Sequence, residues 1–217
     1  MNTQTIRYSL ADGIATLTFD EQGSPVNTMC LQWQTDLAQV AERVKQDASH
    51  LKGLILASSK TTFFAGADLK GVMRSTTNDG PRVFAEIEGV KKSFRTLETC
   101  GFPVVSCLNG SALGGGLEVA LVGHYRIATQ NPKAIFGFPE ITLGLIPGAG
   151  GITKMTRILG LVAAQPYILE CKLFNAEEAH RLGLVHELVA SDDLLRPKAL
   201  AFIASAQGKP EASQHVW

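Results

Sequence analysis

Two glutamates stand where their surroundings would change their acidity. Glu118 falls in the first turn of an otherwise apolar helical stretch, Leu117-Glu118-Val119-Ala120-Leu121-Val122. Glu140 follows Pro139 at the end of the apolar run Ala134-Ile135-Phe136-Gly137-Phe138. A helix and a strand pair separate the two, so both can reach one cleft. A carboxyl held against apolar walls loses solvation of its charged form, which raises its pKa toward the range useful for general acid–base work near neutrality. Each also has a plainer reading, Glu118 as a compensating charge at a helix N-terminus and Glu140 as an exposed loop acid.

The glycine runs nearby supply a second kind of chemistry. Gly114-Gly115-Gly116 and Gly148-Ala149-Gly150-Gly151 each lead into a helix. Neither completes a dinucleotide fingerprint: Val119 and Thr153 occupy the position of the closing glycine, and Glu118 would oppose a pyrophosphate. There is no GxxxxGK[ST] and no GxSxG, which removes a P-loop and a serine-hydrolase elbow. What such runs do offer is backbone N–H groups that a ligand can approach closely and that favour developing negative charge, as on a carbonyl oxygen becoming an enolate. Close packing of a helix on a sheet explains the same glycines without any ligand.

The elements that would position these groups read as an alternating α/β chain. Ile6–Leu10 and Ile14–Phe19 form a hairpin around Asp12-Gly13. Asn27 or Thr28 caps a helix carrying Leu37, Val40, Ala41 and Val44. Gly53–Ala57, Phe102–Leu108, Tyr125–Thr129, Ala134–Phe138 and Leu184–Val189 are expected strands, and residues 83–99, 117–122 and the segment after Gly151 are expected helices. Residues 70–82 are polar and punctuated, and a mobile surface loop is expected there. Asn175-Ala176-Glu177-Glu178 has the form of a capping box.

Composition narrows the setting. The 217 residues suit one domain, with 45% hydrophobic and 18% charged residues. Twenty basic and twenty acidic side chains cancel, which argues against non-specific nucleic-acid binding. No apolar run has the length of a membrane span, and the N-terminus lacks the layout of a signal peptide. Cys30, Cys100, Cys107 and Cys171 have neither CxxC nor zinc spacing, so no metal site is expected and a reducing, cytoplasmic compartment is.

Taken together, three ordered blocks resemble the crotonase (enoyl-CoA hydratase/isomerase) superfamily. They are Phe63-Phe64-Ala65-Gly66-Ala67-Asp68-Leu69-Lys70, then Asn109-Gly110-Ser111-Ala112-Leu113-Gly114-Gly115-Gly116-Leu117-Glu118, then Phe138-Pro139-Glu140 continuing through Leu143-Gly144-Leu145-Ile146-Pro147-Gly148-Ala149-Gly150-Gly151. Ala176-Glu177-Glu178-Ala179 and Gly183-Leu184-Val185 extend the likeness, which runs from about residue 5 to 190. The resemblance implies an α/β fold of repeated ββα units and an acyl-CoA thioester substrate. Ala67 and Gly115 match the two positions whose N–H groups hold the thioester oxygen. Glu118 and Glu140 match the acids that add water across the 2,3 double bond, Glu140 protonating the α-carbon and Glu118 holding and activating water. Ala65, Asp68, Leu69, Lys70 and Gly114 match CoA- and substrate-contacting positions, Lys70 at a phosphate and Ala65 and Leu69 beside adenine. No cofactor is implied beyond the coenzyme A that the substrate carries.

The likeness is greatest to the hydratase part of bifunctional fatty-acid oxidation enzymes, which continue into a 3-hydroxyacyl-CoA dehydrogenase. The expected division is a catalytic core over 1–190 and a helix with a polar tail over 191–217, marking truncation of a longer chain. Apolar surface left uncovered by such a truncation would favour a homo-oligomer or a place in a larger multifunctional complex. A Δ3,Δ2-enoyl-CoA isomerase and a catalytically weak acyl-CoA-binding fragment are the alternatives.

Overall fold

Strand alternation decides the layering. The computed structural model describes residues 1–215, and its main sheet has the order β1-β2-β3-β4-β6-β8. The strands are β1 (Ile6–Ala11), β2 (Ile14–Phe19), β3 (Gly53–Ser58), β4 (Val104–Leu108), β6 (Tyr125–Thr129) and β8 (Glu187–Val189). Only β1 and β2 pair antiparallel, through the turn at Asp12 and Gly13 (φ 54° and 79°). The other four pairings are parallel, as crossover connections require. β5 (Ala112–Leu113) and β7 (Phe136–Gly137) form a separate parallel pair.

Successive side chains point to opposite faces of a strand, and here both faces are covered. Leu17, Leu54, Leu56, Val104 and Leu108 pack into one core with α1 (Leu31–Asp47) and α3 (Gly80–Glu98). Ile55, Val105, Cys107 and Ile127 pack on the other face beneath Leu195, Ala199 and Ile203 of α8 (Leu195–Ser205). β4 is therefore buried throughout, an apolar run and not an alternating one. Gly53 lets α8 come close, because a Cβ there would lie 2.7 Å from Ile203 Cγ2. The remaining helices are α2 (Leu69–Arg74), α4 (Gly115–Ala120), α5 (Gly151–Leu159), α6 (Leu161–Leu169) and α7 (Ala176–Arg181). None of the described helices is long and apolar enough to cross a membrane.

Several local expectations are corrected. Residues 70–82 are not a loop: α2 occupies 69–74, a capping box of Thr76 and Asp79 closes a 3-10 turn, and Pro81 sits in the first turn of α3. Proline there has no N–H to leave unpaired, so it starts a helix instead of ending one. The cap of α1 is Cys30, whose sulfur accepts from the Trp33 N–H, and neither Asn27 nor Thr28 takes that role. Asn27 is buried and accepts from Glu21 N while donating to Ser58 Oγ and the Phe63 carbonyl. The strand expected over 184–189 begins at Glu187, and the one over 134–138 is reduced to two residues. Asn175 does cap α7, accepting from Glu178 N at 2.9 Å. After α8 the chain folds back, Gln207 Nε2 donating to the carbonyls of Lys52 and Ile203. The terminal Val216-Trp217 pair lies outside the described residues.

Candidate active site

The platform is built where two chain segments touch backbone to backbone. Phe63 and Phe64 both donate to the Ser111 carbonyl, and Phe64 bridges Ala112 of β5. Gly66 has φ 104°, and a Cβ on it would sit 2.7 Å from the Leu113 oxygen. A Cβ on Gly116 would overlap the Phe64 carbonyl. Only glycine fits either position. This contact brings the Ala67 amide, bonded to Gly66, beside the first residue of α4: the Gly66 Cβ position is 3.8 Å from Gly115 N. Among the described residues, neither the Ala67 nor the Gly115 N–H donates a hydrogen bond. For Gly115 the reason is helical geometry, since the first residue of a helix has no carbonyl one turn back.

Glu118, one turn into α4, is 3% exposed. Its Oε1 accepts two backbone N–H bonds of 2.7 Å, from Ala149 and Gly151. The loop can wrap the carboxylate because Gly150 takes φ 109° and Gly151 leaves no side chain in the way; a Cβ there would lie 2.6 Å from Phe138 Cζ and 3.0 Å from Glu118 Cγ. Burial raises the Glu118 pKa, and the two N–H bonds and the Lys154 cation pull against that rise.

Glu140 opens a 3-10 turn over Glu140–Leu143, closed by Gly144 in the left-handed region. The carboxyl reaches back to the platform: its Oε1 is 2.6 Å from where a Gly114 Cβ would stand. Gly114 itself has φ 54° and donates to the Gly137 carbonyl at 2.8 Å. The Oε2 of Glu140 is buried with no partner among the described residues. Burial, with the nearby Glu118 charge adding to it, lifts its pKa from 4.5 to about 7. A carboxyl of this kind has a free oxygen and an acidity matched to proton transfer at neutral pH.

The other candidate positions lie on the rim. Ala65, Ala67, Leu69 and Lys70 are exposed. Asp68 caps α2, its Oδ1 accepting from Lys70 N at 3.1 Å. Lys70 has no ion pair among the described residues. Beside it α2 and α3 expose Val72, Met73 and Phe84, and Ile87 of α3 stands 3.6 Å from the Cβ position of Gly148. No group of three His, Cys, Asp or Glu among the described residues could hold a metal ion. Cavities of about 450 Å³ beside Thr16 and Arg196 and about 570 Å³ beside His124 and Arg126 include neither glutamate.

Sequence reasoning missed three contributors. Met29 lies against Gly115, its sulfur 2.5 Å from that residue's Cβ position, and its N–H holds the Gly66 carbonyl at 2.9 Å. Asn27 fixes the Phe63–Ala65 segment, its carbonyl accepting from Ala65 N. Lys154 is buried behind Glu118. Met29 carried no local signal. An asparagine before a helix reads as a cap, which hid Asn27.

The family described as enoyl-CoA hydratase/isomerase matches residues 9–216. A fatty acid oxidation complex subunit alpha from Shewanella halifaxensis is 37% identical over 205 residues, covering 94% of this chain. The chain spans only 28% of that relative's length. Among solved structures, Pseudomonas aeruginosa DspI superposes with a TM-score of 0.85 at 28% identity, over 98% of this chain and 79% of the other. An enoyl-CoA hydratase from Bacillus anthracis gives 0.83 at 28% identity, over 95% and 78%.

Proposed function

Because the chain belongs to the enoyl-CoA hydratase/isomerase family, we propose that it adds water across the 2,3 double bond of a 2-enoyl-CoA thioester in fatty-acid β-oxidation. One observation carries this reading: a buried glutamate, Glu118, and a half-buried one, Glu140, come from different elements to a platform with two N–H groups that are unpaired among the described residues. Hydration puts negative charge on the thioester oxygen, and the Ala67 and Gly115 N–H groups are the donors that would receive it. Losing one such donor typically costs about 100- to 1000-fold in rate.

The proton balance suits two coupled acids. Water gives its hydroxyl to C3 and one proton to the ionised Glu118, while Glu140 delivers its own proton to C2. Return of a proton from Glu118 to Glu140 resets the pair. Burial raises Glu140 and the Glu118 charge adds to that rise, which favours one negative charge across the pair, the state the reaction starts from. No electrons change hands, so the chemistry calls for no redox cofactor. Ala65, Asp68, Leu69 and Gly114 would line the CoA thioester, with the Lys70 ammonium at a phosphate. We place the activity in the cytoplasm, where four free cysteines stay reduced, and in a homo-oligomer or a larger multifunctional assembly.

The test is hydration of crotonyl-CoA, followed by loss of enoyl absorbance, in the parent chain, Glu118→Gln and Glu140→Gln. The expected result is turnover by the parent and a fall of about 100-fold or more in each variant. Double-bond migration without hydration would instead assign an isomerase that uses Glu140 alone. A folded parent that neither hydrates nor isomerises would overturn the reading.

A further inference from the structure

Behind Glu118 lies a charge that hydration chemistry has not yet used. Lys154 is 8% exposed, and a lysine is rarely buried without a partner. Its Nζ forms an ion pair with Glu98 Oε1 and donates to the Leu121 carbonyl at 3.1 Å. The Phe94 ring centroid is 5.7 Å away. One ammonium thus joins three elements: α3 through Glu98 and Phe94, the C-terminal end of α4 through Leu121, and α5, on which Lys154 sits one turn after Gly151.

That arrangement bears on the carboxylate directly. Glu118 joins the start of α4 to the start of α5 through the Ala149 and Gly151 N–H groups. Lys154 joins the same two helices again at the end of α4, so their relative position is set at two points. We propose, resting on the hydratase reading above, that Lys154 is a positioning residue that holds the α5 N-terminus on Glu118 and places a positive charge behind this carboxylate that favours its ionised form for water activation. Burial pulls the Lys154 pKa down and its ion pair with Glu98 holds it up, so Glu98 keeps that ammonium charged.

Other groups facing this cluster do not substitute for it. From α3, Lys91 is exposed and pairs with Glu88 at 2.6 Å, and Arg95, also exposed, stands 3.7 Å from Glu98 Oε2. Glu140 faces Glu118 with a charge of the same sign. Arg126 of β6 is buried and spends its guanidinium on the carbonyls of Leu184, Gly123 and Gly183. His124 accepts from Val104 N through Nδ1, so its Nε2 donates to the Glu98 carbonyl in the neutral tautomer. Burial pushes His124 down to about 4 and His215 to about 3, and neither carries charge near neutrality.

The experiment compares pH–rate profiles of crotonyl-CoA hydration for the parent, Lys154→Met, Glu98→Gln and the double variant. Removing the cation should move the acidic limb of kcat up by about one pH unit, and removing Glu98, which holds the proton on the buried Lys154, should move it the same way. KM should stay within about twofold, since neither side chain touches substrate, while kcat in Lys154→Met falls about 10- to 100-fold. A merely structural role lowers activity without moving the limb. Lys154→Met loses the partner of a buried carboxylate and is the variant most exposed to misfolding; Glu98→Gln and the double variant then carry the test. Titration of the ¹³C-labelled Glu118 carboxyl in the parent and Glu98→Gln reads the same effect without turnover, so failure of hydration and failure of this inference are separable. Limbs and carboxyl titrations that stay put in folded variants, or that move down on removing Lys154 or Glu98, overturn it.

Discussion

Glu140→Gln should make the protein more stable while disabling it, and only above a certain pH. The carboxyl is half-buried, its Oε2 has no partner among the described residues, and its pKa rises from 4.5 to about 7. A folded state that holds this proton more tightly than the unfolded chain loses stability as pH climbs from 4.5 to about 7, then stays level. Fully expressed, that rise is worth about 3 kcal/mol. Solvent screens part of it at a half-buried group, leaving about 1–2 kcal/mol. Glutamine mimics the protonated acid in shape and cannot ionise. The variant should therefore match the parent near pH 4.5 and exceed it at pH 8 by roughly 2–8 °C in Tm, the shift such energies produce in a chain of this size. Thermal unfolding by circular dichroism at the two pH values measures this, and the same samples should show the loss of crotonyl-CoA hydration. A gain of equal size at both pH values, or a loss at pH 8, would refute the assignment of Glu140 as an acid held protonated by its surroundings.

Two further outcomes test the platform and its rim. Gly116→Ala drives a methyl group into the Phe64 carbonyl, backbone against backbone, and should cost about 2–4 kcal/mol or prevent folding. Gly115→Ala meets only the flexible end of Met29 and should fold, with hydration weakened by crowding beside the Gly115 N–H; equal thermal stability of the two variants would contradict the backbone contact. Lys70→Ala should raise KM for a CoA thioester about 3- to 10-fold with kcat held, as expected for one exposed phosphate contact, and unchanged KM in steady-state assays would remove Lys70 from the site.

Much of the fold was legible because its signals are local. The hairpin was announced by Asp12-Gly13 between alternating strands, and β3 and β4 by apolar runs bounded by turns. The failures share a cause: residues whose local preference was outvoted by distant partners or whose punctuation had a second meaning. Gly80-Pro81 reads as a break, yet proline in the first helical turn is an initiator, so the expected loop became α2 and the start of α3. Asn27 has the type of a helix cap, but its bonds go to Glu21, Ser58 and Phe63, none of them its helical neighbours.

The candidate site was legible for the opposite reason, since its residues break local rules. A glutamate in an apolar helix and three consecutive glycines at a strand–helix junction each lower local stability, and sequences retain such choices where something else is gained. The structure shows what they permit: Gly116 lets the Phe64 carbonyl pass close against the start of α4, and the glutamate becomes the acceptor for the Ala149 and Gly151 N–H groups. Lys154 breaks no such rule. In sequence it is an ordinary lysine on an amphipathic helix, and only Glu98 on α3, closing over it in the fold, turns it into a buried charge behind Glu118. Groups that would touch substrate could thus be found by their anomaly, whereas a group that acts through another needed the tertiary structure to be seen.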